Sequence, residues 1–148
     1  MTDQEERILL FALGDERFAL DLKETTEVLE PPEIFPVPGA PSFIAGAINS
    51  HGRPLPVVDL PALLGRGGLR PDGKVVVLDS RVADMAVWVD TVLAVVPYSA
   101  VLEEGEREDL GITKVLMLAD GEVSLMSAVS LLEVVEKSIN SGMEGICP

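Results

Sequence analysis

Residues 43–64 have the sequence FIAGAINSHGRPLPVVDLPALL, in which two apolar runs flank a short polar turn and precede a leucine-rich segment. The runs Phe43–Asn49 and Leu55–Asp59 on either side of Ser50–Arg53 predict a β-hairpin. Leu60–Leu64 predicts a short helix, which the next glycine is expected to end. Two prolines in the return strand remove backbone donors, so this strand is expected to lie at an edge or to be bulged.

The same order of elements recurs in the second half of the chain. Lys114–Leu118 and Val123–Met126 predict a hairpin around a glycine turn, and Ser127 is expected to cap a helix over Ala128–Val135. Both stretches end in two adjacent leucines. One interpretation is an internal repeat that forms two small barrels on one plan. The alternative is that any two hairpins would show this much similarity.

The other apolar runs also predict strands. Ile8–Leu13 and Phe18–Leu22 flank a Gly-Asp turn and predict a hairpin. Lys23–Glu30 fits either a strand, because of its threonines and valine, or a helical turn that begins at its Lys-Glu pair. Further strands are predicted over Val75–Leu78, Met85–Val89 and Thr91–Val96.

Three segments interrupt this pattern of strands. The prolines between Pro31 and Pro41 cannot support a regular hydrogen-bonded ladder and predict a crossing loop or a sheet edge. Residues 67–73 have the composition of a linker, and Glu103–Asp109 predicts a solvated acidic loop. The predicted organisation is a tail at 1–6, one domain at 7–136 with sub-barrels at about 7–66 and 73–135, and a flexible tail at 137–148.

Charge and composition exclude several classes of function. Eleven basic and 25 acidic side chains give a formal charge of −14, which repels phosphate backbones and anionic lipid, so nucleic acid is not expected as a partner. A hydrophobic fraction of 47% and a mean hydropathy of +0.32 exclude a wholly disordered chain. Aromatic residues make up only 4%, so the core is expected to be mostly aliphatic.

The sequence also predicts where the protein resides. Cys147 is the single cysteine, so an internal disulfide is excluded, which suits a reducing compartment. The first seven residues are acidic and polar, unlike the basic start of a signal peptide. No apolar run approaches the roughly 20 residues of a membrane span. A cytoplasmic protein without direct membrane insertion is therefore expected.

No motif in the chain points to catalysis, a metal or a cofactor. His51 is the only histidine and has no nucleophile or acid at a recognisable spacing. One histidine and one cysteine cannot supply a structural zinc site, and the two Asp-Gly pairs lack the other ligands of a calcium loop. Asp59 and Asp90 each follow an apolar strand and are expected to accept hydrogen bonds from loop amides. No catalytic residue, metal ligand or cofactor is predicted, and the chain is not expected to be an enzyme.

Several short motifs, taken in order, resemble the CheW-like domain family over about residues 7–135. None is diagnostic alone, but their order and spacing are specific. They are Phe11-x-Leu13-Gly14-Asp15-x-x-Phe18-x-Leu20, Thr26-Glu27-Val28, Pro36-Val37-Pro38-Gly39-Ala40-Pro41-x-Phe43-Ile44-x-Gly46, Asn49-x-x-Gly52, Pro56-Val57-Val58-Asp59-Leu60, Val87-x-Val89-Asp90 and Leu131-Leu132.

The resemblance implies a mainly β fold of two intertwined five-stranded SH3-like barrels with a few short helices. It also implies a non-enzymatic adaptor that couples the cytoplasmic tips of methyl-accepting chemoreceptors to the regulatory domain of a CheA-type histidine kinase. The length of the chain favours the stand-alone adaptor over the regulatory domain of such a kinase. Contacts in the family lie around the first barrel and in an apolar groove between the barrels.

The resemblance also implies the residues that contact partners. Its partner-facing strand corresponds to Leu22, Thr25, Glu27 and Val28, and its exposed turn corresponds to Asn49, His51 and Arg53. Ala86, where the family has a glycine, completes the expected set.

The turn departs from the family pattern. The family usually has Asn-Leu-Arg-Gly where this chain has Asn49-Ser50-His51-Gly52, and histidine lacks the permanent charge and donor fork of arginine. Arg53 could substitute, but its side chain is expected on the opposite face of an extended strand. Trp88 replaces a common aliphatic residue and is expected in the core.

Two alternatives to the coupling adaptor remain open. One is a degenerate scaffold that binds a kinase but no receptor in a divergent pathway, which the altered turn at His51 would favour. The other is a small-molecule-binding β-barrel, which would require a deep pocket with converging polar groups. The sequence offers no such cluster.

Overall fold

The computed structural model describes residues 6–30, 33–66 and 72–146, which form two β-sheets and two helices. The helices are α1 (Leu60–Leu63) and α2 (Ala128–Ile146), and 3-10 turns cover Leu22–Glu24 and Tyr98–Ala100. The strands are β1 (Arg7–Leu13), β2 (Glu16–Asp21), β3 (Thr25–Leu29), β4 (Ile44–Ser50), β5 (Arg53–Asp59), β6 (Lys74–Leu78), β7 (Ala86–Val89), β8 (Thr91–Pro97), β9 (Glu103–Asp109), β10 (Ile112–Leu118) and β11 (Gly121–Met126).

The strand orders show that the internal repeat is real. The larger sheet has the order β8-β1-β2-β11-β10-β9, and the smaller sheet has the order β3-β6-β7-β5-β4. The first five strands of the larger sheet correspond, in this order, to the five strands of the smaller sheet, so that β8 corresponds to β3 and β1 to β6. β9 has no counterpart among the strands of the smaller sheet. Each sheet also contains one parallel pair at the corresponding place, β2 with β11 and β5 with β7.

The two sheets exchange strands between the halves of the chain. β1 and β2 join the larger sheet, whereas β3, β4 and β5 pair with β6 and β7 in the smaller one. Residues 25–89 therefore supply the smaller sheet, a division that differs from sub-barrels at 7–66 and 73–135. The linker expected at 67–73 lies mostly outside the described residues. The predicted mainly β, intertwined fold is confirmed, with six strands rather than five in the larger sheet.

Strands buried on both faces explain the long apolar runs. In β1, Leu9 and Phe11 pack into a core that both sheets share, whereas Ile8 and Leu10 pack into a core of the larger sheet alone. β6 divides in the same way between the shared core and a core of the smaller sheet. A strand that is buried on both faces needs apolar residues at every position, as in parallel sheets covered on both sides. Its sequence is therefore a continuous apolar run and does not alternate with polar residues.

Glu103–Asp109 forms strand β9, so the prediction of a solvated loop was wrong. All seven residues are exposed, and the strand forms through pairing with β10 on one side. Sequence propensity disfavours a strand of acidic residues, but the hydrogen-bonding edge of β10 overrides it. At the corresponding place in the smaller sheet, Phe35 of the proline-rich segment forms an isolated bridge to Ala47 of β4.

The connections resolve the remaining local ambiguities. Lys23–Glu30 divides into the end of a 3-10 turn and strand β3. The prolines of β5 lie in its first half, where β4 is the only described neighbour, because β7 pairs only with Val57–Asp59.

Ser127 caps α2 through a hydrogen bond from the Ser130 N–H to its Oγ (3.3 Å). The helix continues past Val135 to Ile146, so residues 137–146 of the segment predicted as a flexible tail are helical.

Candidate partner-docking site

A histidine and a glutamate from different elements meet at the exposed end of the smaller sheet. His51 lies in the β4–β5 turn with a φ of 53°, and its Nε2 lies 3.0 Å from Glu27 Oε2 on β3. A carboxylate oxygen only accepts, so Nε2 carries the hydrogen of this bond. The His51 side chain remains 82% exposed, which leaves its other face accessible.

Arg53 forms a second charge pair beside the first. Its two terminal nitrogens donate to the carboxylate of Asp84 at 3.2 and 2.6 Å, in the bidentate geometry typical of arginine. This hydrogen-bonded pairing raises the pKa of Arg53 and lowers that of Asp84. Asp84 lies in the turn before β7, so the pair ties the β4–β5 hairpin to that turn.

The two charge pairs line the mouth of one cleft of about 300 Å³. Its apolar lining comes from Leu55, Val77 and Leu78, and hydroxyl groups come from Thr26, Ser50 and Ser80. A shift of register between Thr25 and Glu27 brings both Thr26 and Glu27 to this cleft. Such bulges redirect side chains at sheet edges.

Arg53 and His51 line the same cleft, so the expectation that Arg53 points to the opposite face was wrong. Residues two apart in an extended strand point to the same side, and the left-handed conformation of His51 turns its side chain toward β3. The arrangement places an imidazole and a guanidinium next to two carboxylates. The cleft therefore carries one guanidinium and two carboxylates, with the imidazole hydrogen-bonded to one of the carboxylates.

The other expected contact residues do not line this cleft, and they differ in exposure. Val28 is 41% exposed on β3, while Leu22 packs against the shared core. The Thr25 hydroxyl donates to the Leu22 carbonyl (3.0 Å). Asn49 Oδ1 accepts from the Gly52 N–H (2.9 Å), which holds the turn in shape.

Ala86 is fully buried, so a partner cannot contact its side chain without opening the sheet. It lies on β7 between β5 and β6, in the core of the smaller sheet. Its inclusion among the contact residues is therefore corrected. The prediction that Trp88 belongs to the core is confirmed by its exposure of 4%.

An exposed apolar strip lies on β8, the edge of the larger sheet next to β1. Leu93 and Val95 are 48% and 45% exposed, and their spacing places both on one face of the strand. β8 corresponds by the repeat to β3, which carries Val28. Each sheet thus has one edge strand that presents aliphatic side chains.

The described residues contain no candidate metal centre. No group of three or more His, Cys, Asp or Glu side chains in the described part of the chain could hold a metal ion. Asp59 caps α1 by accepting from the Ala62 N–H (3.1 Å), and Asp90 accepts from the Gly14 N–H (2.6 Å), as predicted. Burial raises the pKa of Asp59, and the nearby Asp90 charge adds to this.

Sequence analysis missed Asp84, Thr26 and Ser80 at this cleft. Asp84 lies 31 residues from Arg53, and only the pairing of β5 with β7 brings it near. No local pattern signals such a pair. Thr26 was in a quoted motif, but the family resemblance implied Thr25, Glu27 and Val28 as the contact residues of this strand.

The structure is that of a mainly β protein built from two interleaved sheets, and comparison with known proteins agrees. The CheW-like domain family matches residues 7–135, and this chain belongs to that family. It is 32% identical to the chemotaxis protein CheW of Thermotoga maritima over 62% of each chain. It is 29% identical to the chemotaxis protein CheW of Rhizobium meliloti over 59% of this chain and 56% of that one.

A solved structure shows the same fold. The crystal structure of the scaffolding protein TtCheW from Thermoanaerobacter tengcongensis aligns with a TM-score of 0.72 at 24% identity, covering 83% of this chain and 89% of that one. The chain spans 56–62% of the length of the two curated relatives. Among the described residues, no helix is long and apolar enough to cross a membrane.

Proposed function

We propose that this chain is a non-enzymatic adaptor of a bacterial chemosensory array, which couples chemoreceptors to a CheA-type histidine kinase in the cytoplasm. Membership of the CheW-like family and similarity to proteins named as chemotaxis CheW support this role. The observation that carries it is the polar cleft of Glu27, His51, Arg53 and Asp84, where four charged or polar side chains stand exposed and oriented.

The cleft is suited to recognition because its groups are oriented before a partner arrives. The Glu27–His51 and Arg53–Asp84 pairs hold long side chains in place, which reduces the entropy lost on binding. Both pairs keep free hydrogen-bonding capacity toward solvent. A receptor tip with polar groups of both signs would complement them.

Aliphatic edges supply the apolar part of the proposed interfaces. Val28 follows Glu27 on β3, and Leu93 and Val95 lie on β8 of the other sheet. Burial of such side chains contributes about 25 cal/mol per Å² of apolar surface. Two separate edges allow a receptor and a kinase to bind at the same time. Transient interfaces of this kind fall below roughly 1,200 Å² in total.

Calorimetric titration tests the proposal. The chain is titrated with the regulatory domain of the CheA-type kinase and, separately, with a receptor-tip hairpin from the same cell. We expect binding to both, and we expect His51→Ala and Glu27→Ala each to weaken receptor binding by a factor of about 2–10. The control is Glu122→Ala, which removes an exposed carboxylate from β11 of the other sheet. Unchanged affinity in both cleft variants would contradict the site.

A second candidate, a scaffold that binds the kinase but no receptor, is favoured by one observation. The turn presents a histidine already engaged by Glu27, whereas the family pattern implies an arginine. Binding to the kinase domain alone would support this candidate. In that case His51→Arg tests whether the turn is the cause, because arginine restores a permanent charge and a fork of donors.

The small-molecule alternative has little support from the described cavity. Three hydroxyl groups line the cleft beside its apolar residues, but its charged groups already pair with one another. A pocket for a small ligand normally combines an apolar lining with a few free polar groups. Binding to neither protein in the titration would reopen this alternative.

A further inference from the structure

The outer edge of the larger sheet is a strand with no neighbour on one side. β9 pairs with β10, and no other described strand lies beside it. All seven of its residues are exposed. A strand edge leaves backbone donors and acceptors free to pair with a further strand. β9 contains no proline, so every residue keeps its N–H group.

The side chains of β9 carry charge of almost one sign. Five carboxylates and one guanidinium occupy the seven positions of Glu103–Asp109. Lys114 binds Glu104 (2.9 Å), and Arg107 lies 3.8 Å from Asp109. Within the described part of the chain, three further carboxylates form no ion pair, those of Glu103, Glu106 and Glu108.

The equivalent edge of the smaller sheet shows that the open edge is not a requirement of the fold. There, Phe35 forms one isolated bridge to Ala47, and the prolines around it remove the donors that a ladder needs. Prolines or a single well-placed charge suffice to protect an edge from aggregation. β9 instead keeps its donors and concentrates acidic residues, which have low strand propensity.

Charge decides which occupant suits this edge. A second copy would bring five more carboxylates against the first five, so self-pairing is disfavoured. Nucleic acid is repelled for the same reason. A strand rich in lysine or arginine would instead form cross-strand pairs of opposite charge.

Exposed aliphatic side chains lie at both ends of the strand. Leu102 is 66% exposed just before β9, and Leu110 is 48% exposed just after it. Met117, which is paired in register with Glu103, is 40% exposed. These side chains can bury apolar residues that flank a basic stretch.

We propose that β9 docks an extended basic segment of a partner protein, which adds to the larger sheet as a seventh strand. Lysine or arginine side chains of that segment face the free carboxylates, and apolar residues at its ends contact Leu102 and Leu110. The cleft at His51 lies in the smaller sheet, so both surfaces can be occupied together. This inference does not depend on the proposed receptor and kinase contacts.

A synthetic peptide of alternating lysine and valine, about nine residues long to span the strand, is the probe. Its affinity is measured by calorimetry at low and at physiological salt, and amide hydrogen exchange of the full chain locates it. We expect weak binding that decreases with salt, and slower exchange confined to β9. A matched peptide of alternating glutamate and valine should not bind, and prolines in the centre of the basic peptide should abolish binding.

Two charge reversals separate docking from general attraction. Glu106→Lys should weaken binding about tenfold, whereas Glu33→Lys, which changes the net charge equally in an exposed loop, should have little effect. Equal losses in both variants would overturn the proposal. Undiminished binding of the proline-containing peptide, exchange protection outside β9, or no binding at low salt would also overturn it.

Discussion

The carboxylate of Glu24 accepts a hydrogen bond from the backbone N–H of Ala128 at 2.9 Å, across 104 residues of chain. Glu24 lies in the 3-10 turn that leads from the larger sheet into β3, and Ala128 begins α2. The Glu24 carbonyl also accepts from the Asp79 N–H (2.8 Å). One residue thus connects the start of β3 to the helix of the other half of the chain.

We expect Glu24→Ala to lower the free energy of unfolding by about 1–2 kcal/mol, as for loss of a helix cap. The variant removes an acceptor and a negative charge from the first turn of α2. Glu24→Gln keeps an acceptor oxygen, so its free energy of unfolding should decrease by less, about 0.3–1 kcal/mol. Urea unfolding measures both. If the two variants lose equal stability, the hydrogen bond at the helix start is not the cause.

Asp59 illustrates a buried charge that the fold tolerates because it caps a helix. It is 6% exposed, and burial raises the pKa of its carboxyl above the usual value. The folded protein therefore binds this proton more readily than the unfolded chain does. The contribution of the Asp59 carboxyl to the free energy of unfolding is therefore greatest at low pH, and it is lost as the pH rises through the raised pKa.

We therefore expect Asp59→Asn to be at least as stable as the parent protein at pH 7. Asparagine keeps a capping oxygen for the Ala62 N–H and removes the cost of a buried charge. Unfolding by urea across the acidic and neutral range measures the change. The variant should also lose the contribution of this carboxyl to the pH dependence of stability, the decrease that begins as the pH rises above the ordinary aspartate pKa. A large loss of stability at pH 7 would show that the charge itself is required.

The contribution of Asp79 to the stability of the folded protein should depend on pH in the opposite way. Its carboxylate accepts from the side chain and the backbone N–H of Arg81, which lowers its pKa to about 2. A lowered pKa stabilises the folded state above the unfolded value near 4, and this stability is lost as pH falls toward 2.

Arg81→Ala removes the side-chain donors but keeps the backbone donor. We expect the pKa of Asp79 to rise toward its usual value and the variant to unfold at higher pH in an acid titration. Because the Arg81 side chain is 87% exposed, the difference should shrink at high salt. Carbon-detected NMR of the Asp79 carboxyl measures the pKa directly, and an unchanged value would refute the role of Arg81.

Sequence patterns predicted most strands because double burial leaves long aliphatic runs, as in β1 and β6. They also predicted the exposed turn at His51, the helix cap formed by Ser127, and the hydrogen bond from a loop amide to Asp90. Patterns failed where pairing across the chain decides the outcome. β10 makes a strand of Glu103–Asp109 despite its composition. The position of Asp84 beside Arg53 likewise depends on tertiary pairing rather than on neighbouring residues.

Two glycines of the family motifs should respond differently to the same substitution. Gly46 has a φ of 149°, and a Cβ there would overlap the Phe35 carbonyl oxygen and lie 2.7 Å from Ile34 Cγ2. Gly52 has a φ of 85°, but a Cβ there would meet no atom within 4 Å. Gly52→Ala therefore carries only the backbone strain of about 1–2 kcal/mol. Gly46→Ala adds a steric overlap worth about a further 1–3 kcal/mol.

The position of the overlap makes a second, local prediction. A Cβ at Gly46 pushes against the segment that bridges β4, so the hydrogen bonds between Phe35 and Ala47 (2.8 and 2.9 Å) should break first. Hydrogen exchange of the Phe35 and Ala47 amides should accelerate in Gly46→Ala and remain unchanged in Gly52→Ala. Urea unfolding of both variants supplies the stability difference. Equal destabilisation with equal exchange would mean that backbone conformation alone, and not the close approach of Phe35, requires glycine at position 46.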